Sequence, residues 1–224
     1  MTGEYVAPIL TVDSVIFQIT DGQLMVLLIN RAAEPFKGSW ALPGGYNAAG
    51  ETTTEALSRV VKAKSGIEVA KLKLVEQLYT FDTVARDPRG HAVSVTYMGL
   101  GLNLEPKDSK TTQSPQFFPV KQLPELAYDH HNIISYAHDR LASKITYTNA
   151  VYALLPELFT LPQLQATYEA IFGRQLDKRN FRKKYLSFDL IKPTKQFVKL
   201  GAHRPAQLYE FNQKELTSLS RSFD

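Results

Sequence analysis

The segment WALPGGYNAAGETTTEALSRVVKAKSGI, residues 40–67, decides the fold of the N-terminal part of this chain. Apolar residues lead into a glycine pair that begins at Gly44. From Glu51 to Lys64 small and aliphatic side chains recur at helical spacing, and Gly66 is the residue type that often ends a helix in a left-handed conformation. The pattern predicts a strand, a glycine-rich turn and a helix.

The segments on either side predict further strands and a second helix. Two apolar, β-branched runs between Ile9 and Asn30 are split by Asp21-Gly22 and read as a hairpin. KLVEQLYTFDTVA (73–85) and HAVSVTYMGLGL (91–102) read as two more strands. Asp129 is predicted to cap a helix that runs to about Ser143.

From Gly45 onward the sequence resembles the Nudix box, G-x5-E-x7-R-E-U-x-E-E-x-G-U, in which U is a bulky aliphatic residue. The positions in register are Gly45, Glu51, Arg59, Val61, Gly66 and Ile67. The resemblance covers a degenerate box at 45–67 and implies a Nudix-type α/β/α sandwich for residues 1–145. With the C-terminal part described below, the predicted fold class is α+β.

The chain departs from the box at its metal ligands. Active Nudix proteins are expected to hold divalent metal with three glutamates one helical turn apart, because hard cations need several oxygen ligands. Val60, Ala63 and Lys64 stand at those positions. We therefore predict no catalytic residue, no metal ligand and no required cofactor, and we interpret Glu51 and Glu55 as a helix N-terminal charge and a solvated side chain.

A Nudix-type domain that has lost its metal ligands can still bind the diphosphate of a nucleotide. We hypothesise that Lys64 supplies part of the missing positive charge, the alternative being an ordinary exposed helix residue. Other arginines, a histidine and one tryptophan near the box are candidates to reach phosphate, ribose or base. The predicted ligand-binding residues are Arg31, Trp40, Gly44, Gly45, Glu51, Arg59, Lys64, Arg86, Arg89 and His91. We interpret Asp129, His130, His131 and His138 as a helix cap and polar residues, not as a metal site.

Composition excludes several classes of protein. Cysteine is absent, so disulfides and thiolate metal sites are excluded, and no uncharged run approaches the length needed to cross a bilayer. We expect a protein of the cytoplasm with no membrane partner. The net charge is only +4, but residues 146–224 carry 12 Lys and Arg against 7 Asp and Glu. A basic excess confined to one segment is typical of contact with a polyanion.

The C-terminal part, residues 146–224, is predicted to be a separate winged-helix domain. SKITYTNA (143–150) reads as a connection, and TNAVYALLPELF (148–159) reads as a first helix. Thr160 and Asp177 are predicted to cap a second and a third helix. A β-hairpin follows, with its turn in GAHRP (201–205).

The third helix of this domain is strongly basic, with six Lys or Arg against one Asp in residues 174–184. Helical spacing sends Phe181 and Tyr185 into the core and leaves a basic row outside, as a helix docked in a major groove requires. The alternative is a solvated amphipathic helix. The predicted DNA-binding residues are Lys178, Arg179, Asn180, Arg182, Lys183 and Lys184 on the helix, and Lys199, His203 and Arg204 on the wing.

A Nudix-like domain followed by FTLPQLQATYEAIFGRQLDKRNFRKK (159–184) and HRPAQLYEF (203–211) is similar to the Nudix-related transcriptional regulators of NAD metabolism, the NrtR family. The resemblance implies repression of NAD biosynthesis or salvage genes, with ADP-ribose as the effector that weakens operator binding. It also implies homodimers on palindromic double-stranded DNA, which suits one short helix that reads few base pairs. Two alternatives stay open: an active Nudix hydrolase of the ADP-ribose pyrophosphatase type, and a nucleotide-binding adaptor for an acidic protein.

Overall fold

The computed structural model describes residues 6–108, 112–199 and 205–219. The nine strands within these ranges are β1 Ile9–Thr20, β2 Gln23–Arg31, β3 Trp40–Ala41, β4 Gly44–Tyr46, β5 Leu74–Phe81, β6 Ala92–Leu100, β7 Thr112–Pro119, β8 Ile191–Val198 and β9 Ala206–Phe211. The four α-helices are α1 Thr53–Ser65, α2 His130–Tyr147, α3 Leu161–Phe172 and α4 Lys178–Leu186. Within the described ranges, every helix is too short or too polar to span a bilayer.

Strands β1 to β7 form one mixed sheet with the order β3-β2-β1-β6-β5, in which β4 also pairs with β1 and β7 with β2. β1 runs parallel to β6, whereas its pairings with β2 and β4 are antiparallel. The hairpin between β1 and β2 turns at Asp21 and Gly22, which have φ values of 49° and 73°. The predicted hairpin is confirmed, and β3 is the short strand that was predicted before the glycine pair. β4 and β7 are strands that the sequence pattern did not reveal.

Helix α1 is the predicted box helix, and both of its ends are capped. The Thr52 hydroxyl accepts from the Glu55 amide while the Glu55 carboxylate accepts from the Thr52 amide, which satisfies two otherwise unpaired groups. Gly66 ends the helix with φ 69°, as predicted.

The sheet lies between two helices, as the Nudix-type sandwich requires. Val15 and Phe17 of β1 belong to the apolar cluster that contains α2, while Ile16 belongs to the cluster that contains α1. Alternate residues of a strand point to opposite faces, so one strand contributes to both clusters. The predicted α/β/α architecture is confirmed.

Two predictions about the start of the C-terminal part are wrong. Helix α2 continues to Tyr147 and does not end near Ser143, so residue 145 lies within the helix and not in a polar connection. The predicted first helix of the winged-helix domain is only a short 3₁₀ segment at Ala150–Leu154. Its side chains are buried, because apolar residues at this point join α2 to the winged-helix core.

The remaining elements follow the predicted order of helix, helix and hairpin. Thr160 caps α3 with a reciprocal bond to Gln163, and Asp177 caps α4 by accepting from the Asn180 amide. β8 and β9 pair in an antiparallel hairpin. The turn predicted at Gly201–Pro205 lies almost wholly outside the described residues.

One apolar cluster joins the two parts of the chain through α2. Leu141 and Ile145 of this helix are fully buried, and the same cluster contains Val15 of the sheet together with Tyr168 and Tyr185 of the winged helix. The side chains of Lys144 and Glu76 form an ion pair of 2.7 Å that also ties α2 to β5. The sheet and the winged helix therefore pack on a common helix.

Replacing Leu141 with alanine tests this shared core. We expect the free energy of unfolding to fall by about 2–5 kcal/mol, because the change leaves a cavity in the cluster. Denaturant unfolding followed by circular dichroism should show one transition for the whole chain. The exposed Ser143→Ala on the same helix is the matched control, and two transitions of which Leu141→Ala shifts only one would contradict a shared core.

Candidate functional site

A cavity of about 470 Å³ opens between the glycine-rich turn, α1 and the start of α2. Basic side chains outnumber acidic ones along its wall. Five of its lining residues are basic, namely Arg31, Arg59, Lys64, Arg86 and Arg89, and three are acidic, namely Asp13, Glu34 and Asp87. All five basic residues were predicted from the sequence to bind a ligand, and the structure brings them to one cavity. The excess of positive charge suits a diphosphate.

The positions that would carry metal-binding glutamates do not fit a divalent metal. Val60 is 3% exposed and packs against Gly45, where an added Cβ would lie 3.1 Å from its Cγ2. Val60, Ala63 and Lys64 all line the cavity. Burial first, and then the charge of Arg31, lower the pKa of Lys64. These side chains offer an isopropyl group, a methyl group and an amine, and none of them has an oxygen that could bind a hard cation.

Glu51 lies outside the cavity lining and holds the loop in front of α1. The Arg59 guanidinium donates to both carboxylate oxygens of Glu51, with Nε at 3.0 Å, and Nη2 also donates to the carbonyl oxygen of Tyr46 at 2.9 Å. The hydrogen bond from Arg59 is the main reason that the pKa of Glu51 lies below its usual value. Glu51 thus positions Arg59 and the turn.

Position 44 needs a glycine because a side chain there would collide with the carboxylate of Asp13. An added Cβ at Gly44 would lie 1.9 Å from Oδ1 of Asp13, which is opposite it in the β1–β4 pairing. Only a residue without a side chain fits beside Asp13. The close approach that was predicted for a ligand is used here for this buried acid.

Asp13 belongs to a buried charged cluster that was not predicted from the sequence. Arg86 donates from Nε and Nη2 to the two oxygens of Asp129, at 2.9 and 2.8 Å, and from Nη2 to Asp13 at 3.4 Å. The Ser94 hydroxyl donates to Asp13 at 2.6 Å. The two carboxylates raise the pKa of Arg86 against the effect of its burial. Asp129 lies at the N-terminus of α2, yet among the described residues its side chain makes no capping bond.

His130 is the first residue of α2, in the first turn as expected, but it is buried beside this cluster. Its Nδ1 accepts from the Leu42 amide at 2.9 Å, which places the proton of the neutral ring on Nε2. Nε2 lies 3.8 Å from Oδ1 of Asp13. Burial lowers the pKa of His130. His138 is elsewhere, with Nε2 2.7 Å from the carbonyl oxygen of Ile171, so these histidines do not converge.

Aromatic rings and further arginines complete the cavity wall. The Arg31 guanidinium lies 4.9 Å from the centre of the Tyr128 ring. The Tyr128 hydroxyl is enclosed and has no hydrogen-bond partner among the described residues. Arg89 pairs with Asp87 at 2.6 Å and donates to the Tyr46 hydroxyl, and the bond to Asp87 is the main cause of its raised pKa. Tyr128 and Tyr46 therefore offer ring faces next to cations.

Two of the predicted ligand residues lie outside the cavity lining in addition to Glu51. Trp40 packs edge to face on Phe118, with ring centres 4.7 Å apart, and belongs to the α2 side of the core. His91 is exposed, and its carbonyl oxygen accepts from the Ile9 amide. Trp40 was assigned as a stacking face because it precedes the box, but the pleat of β3 turns it toward the core.

The predicted DNA-binding residues of α4 lie on the parts of the helix surface that its buried aromatic pair leaves open. Phe181 and Tyr185 are buried, as the helical spacing predicted. Lys178, Arg179, Asn180 and Lys183 are exposed, whereas Arg182 and Lys184 are half-buried. The Nε of Arg182 is enclosed without a partner among the described residues. Lys199 is exposed after β8, while His203 and Arg204 lie outside the described residues.

These observations define the class of protein: a Nudix-type fold with a basic cavity, joined to a winged helix with an exposed basic helix. The sequence matches the NUDIX domain family over residues 10–137 and the family described as the NrtR DNA-binding winged helix domain over residues 151–211. It is 36% identical over 214 residues to the ADPR responsive transcriptional repressor NtrR of Acinetobacter baylyi, which covers 93% of this chain and 84% of the relative. The chain belongs to the NrtR family of Nudix-related transcriptional regulators.

Two further comparisons bear on the site. The structure of Shewanella oneidensis NrtR complexed with a 27mer DNA matches with a TM-score of 0.79 and 30% identity, over 96% of this chain and 99% of that one. The NUDIX domain of the same protein, complexed with ADP ribose, matches with a TM-score of 0.56 and 34% identity, over 61% and 90% of the two chains. An ADP-ribose pyrophosphatase of Methanocaldococcus jannaschii is 37% identical over 130 residues, which is 58% of this chain and 73% of the relative.

The buried His130 predicts a pH dependence of stability. Its pKa is lowered in the folded chain, so the unfolded chain binds more protons below the ordinary imidazole pKa of about 6.5, and stability is lost as the pH falls below that value. The loss contributed by this group reaches at most about 1.4 kcal/mol per pH unit. His130→Asn, which keeps an acceptor for the Leu42 amide, should reduce this slope in denaturant unfolding between about pH 5 and 6.5.

His131→Asn is the matched control, because His131 is the next residue on α2 and is exposed. Its slope should equal that of the unchanged protein. If the free energy of unfolding of His130→Asn changes with pH as steeply as that of the unchanged protein, the buried ring does not govern the acid sensitivity.

Proposed function

We propose that this chain is a transcriptional repressor whose C-terminal winged helix binds operator DNA and whose cavity binds ADP-ribose, with effector binding weakening operator binding. The observation that carries the proposal is the charge of the cavity, whose lining contains five basic and three acidic residues. One of the basic residues, Lys64, stands where a metal-binding glutamate is expected. The proposed domains are residues 1–145, which sense the effector, and 146–224, which bind DNA. The proposed location is the cytoplasm.

The exposed face of α4 supports the DNA-binding part. A helix of nine residues is about 13 Å long and presents few side chains to one major groove. Its exposed Lys178, Arg179 and Asn180 stand in the first turn, which is the part of a recognition helix that meets base edges. Because one such helix reads few base pairs, we propose a homodimer on a palindromic site, with recognition helices about 34 Å apart.

Selection of bound duplexes from random DNA, with and without ADP-ribose, tests the proposal as a whole. We expect enrichment of a palindromic sequence without ADP-ribose and loss of enrichment with it. In the source genome the recovered sequence should lie upstream of NAD biosynthesis or salvage genes. For the recovered duplex, Arg179→Ala should weaken binding by about 1–3 kcal/mol, which is the range for one lost base contact.

Lys71→Ala is the control for that variant, because Lys71 is exposed on the Nudix-type domain, away from α4. Fluorescence anisotropy across a salt series measures both. If Arg179→Ala binds the duplex as tightly as Lys71→Ala and the unchanged protein do, the assigned DNA-binding face is wrong. If the selection enriches no duplex at all, DNA binding itself is contradicted.

The cavity supports binding of ADP-ribose without metal. The diphosphate would meet Lys64 and the neighbouring arginines in place of a cation, and the Tyr128 and Tyr46 rings offer stacking faces for the base. The residues proposed to contact the effector are those of the original set that line the cavity, namely Arg31, Gly44, Gly45, Arg59, Lys64, Arg86 and Arg89. Hydrolysis is not proposed, because Val60, Ala63 and Lys64 cannot hold the metal that Nudix hydrolysis needs.

Calorimetry with ADP-ribose in metal-free buffer tests this second part. Lys64→Glu should lower the affinity about tenfold or more, which corresponds to about 1.4 kcal/mol, because a carboxylate would repel the diphosphate. The control is Lys62→Glu on the same helix, since Lys62 is paired with Glu68 at 3.0 Å outside the cavity lining. If Lys64→Glu binds as tightly as the control, the lysine does not replace the metal. Rapid turnover of ADP-ribose with Mg²⁺ would support a hydrolase instead.

A further inference from the structure

Arg86 stands at a point where the effector cavity meets the start of α2. Its side chain is 4% exposed, lines the cavity and holds Asp129, the residue that precedes α2, by two hydrogen bonds. Its third contact reaches Asp13 of β1 at 3.4 Å. The guanidinium therefore ties the N-terminus of α2 to the sheet, inside the space where we place the diphosphate.

The other end of α2 is joined to the DNA-binding helices. Nε2 of His138 lies 2.7 Å from the carbonyl oxygen of Ile171 in α3, and the Tyr168 hydroxyl of α3 donates to the carbonyl oxygen of Ile145 in α2 at 3.2 Å. The Tyr168 ring in turn packs on Phe181 of α4, with ring centres 5.4 Å apart. A displacement of α2 is thereby passed to α4 through packed side chains.

A phosphate competes with a carboxylate for the same guanidinium, because arginine binds both in two-pronged geometry. Asp129 has an alternative partner if it is released. Its side chain makes no capping bond among the described residues, although it occupies the position from which a carboxylate can accept from the first amides of a helix. Asp129 can therefore be paired with Arg86 or with the first amides of α2, and Arg86 can be paired with Asp129 or with a phosphate. No charge is left alone in either state, which is what a two-state element needs.

We propose that Arg86 is the residue through which the effector reaches the DNA-binding domain: the diphosphate takes Arg86 from Asp129, α2 is freed at its N-terminus, and α4 loses its DNA-binding position. This inference rests on the proposed function of the cavity. It assigns the Arg86–Asp129 pair to the DNA-competent state and the broken pair to the effector-bound state. Linkage then requires that a change which breaks the pair has opposite effects on the two ligands.

Asp129→Asn is the test, because it keeps the shape of the side chain and removes the charge that holds Arg86. The probes are ADP-ribose, measured by calorimetry, and the duplex recovered by selection, measured by fluorescence anisotropy with and without ADP-ribose. For the unchanged protein we expect ADP-ribose to weaken duplex binding by about 5–150-fold. For Asp129→Asn we expect weak duplex binding without effector, tighter ADP-ribose binding, and an effector response below about threefold.

Glu68→Gln is the matched control. It also removes a carboxylate that is paired with a basic residue, Lys62 at 3.0 Å, but this carboxylate is exposed and lies outside the cavity lining. Its duplex affinity, its affinity for ADP-ribose and its effector response should equal those of the unchanged protein. Arg86→Lys keeps the positive charge but loses the two-pronged bond both to Asp129 and to the diphosphate, so it should bind the duplex weakly without effector and respond to ADP-ribose by less than about threefold. It serves as the second variant if the first fails to fold, and its own affinity for ADP-ribose is not expected to rise.

The outcomes separate the two proposals. If ADP-ribose does not weaken duplex binding by the unchanged protein, the proposed function is overturned and this inference with it. If the unchanged protein responds and Asp129→Asn responds equally, only the inference is overturned. If Asp129→Asn loses affinity for both ligands together, the pair serves stability and not coupling, and this result would overturn the inference as well.

Discussion

Burial of α2 is the constraint on which the rest of the structure depends. This helix covers one face of the sheet and also supplies Leu141 and Ile145 to the core of the winged helix, whose own first segment is only a short 3₁₀ turn. A domain of this size without disulfides needs a large apolar core, and the C-terminal part obtains it by packing on a helix of the Nudix-type fold. The DNA-binding helices are therefore attached to the element that starts in the cavity.

The charges of the cavity follow from a second constraint, which is the placement of Asp13 in the middle of a sheet. A buried carboxylate is costly unless it is paired, and Arg86 and Ser94 meet that need. The same carboxylate excludes any side chain at Gly44. Lys64 lies across the cavity, where its partial burial disfavours the charged form and where an anion would favour it. A cavity of this charge suits a diphosphate.

The sequence was sufficient to predict local structure and insufficient for long-range pairing. The box helix, its Gly66 cap and the buried pair Phe181 and Tyr185 follow from spacing along single helices, and the structure confirms them. The Arg86 contacts span 43 and 73 residues, so no local pattern indicates them. The burial of His130 and the packing of Trp40 on Phe118 were not predicted for a related reason, since whether a polar or aromatic residue faces the cavity or the core depends on elements far away in the sequence.

The energetics of the Arg86–Asp129 pair suit a switch better than a permanent anchor. Removing one partner of a buried ion pair costs about 3–5 kcal/mol, whereas a ligand with micromolar affinity supplies about 8 kcal/mol. A ligand that takes over Arg86 leaves neither charge alone, because phosphate replaces the carboxylate and Asp129 stays at a helix N-terminus, where negative charge is favourable. The difference between the two states is then a few kcal/mol, and a ligand can shift an equilibrium only by its differential affinity for the two states. An arginine shared between effector and helix supplies such a differential directly, without a continuous path of strained contacts through the core.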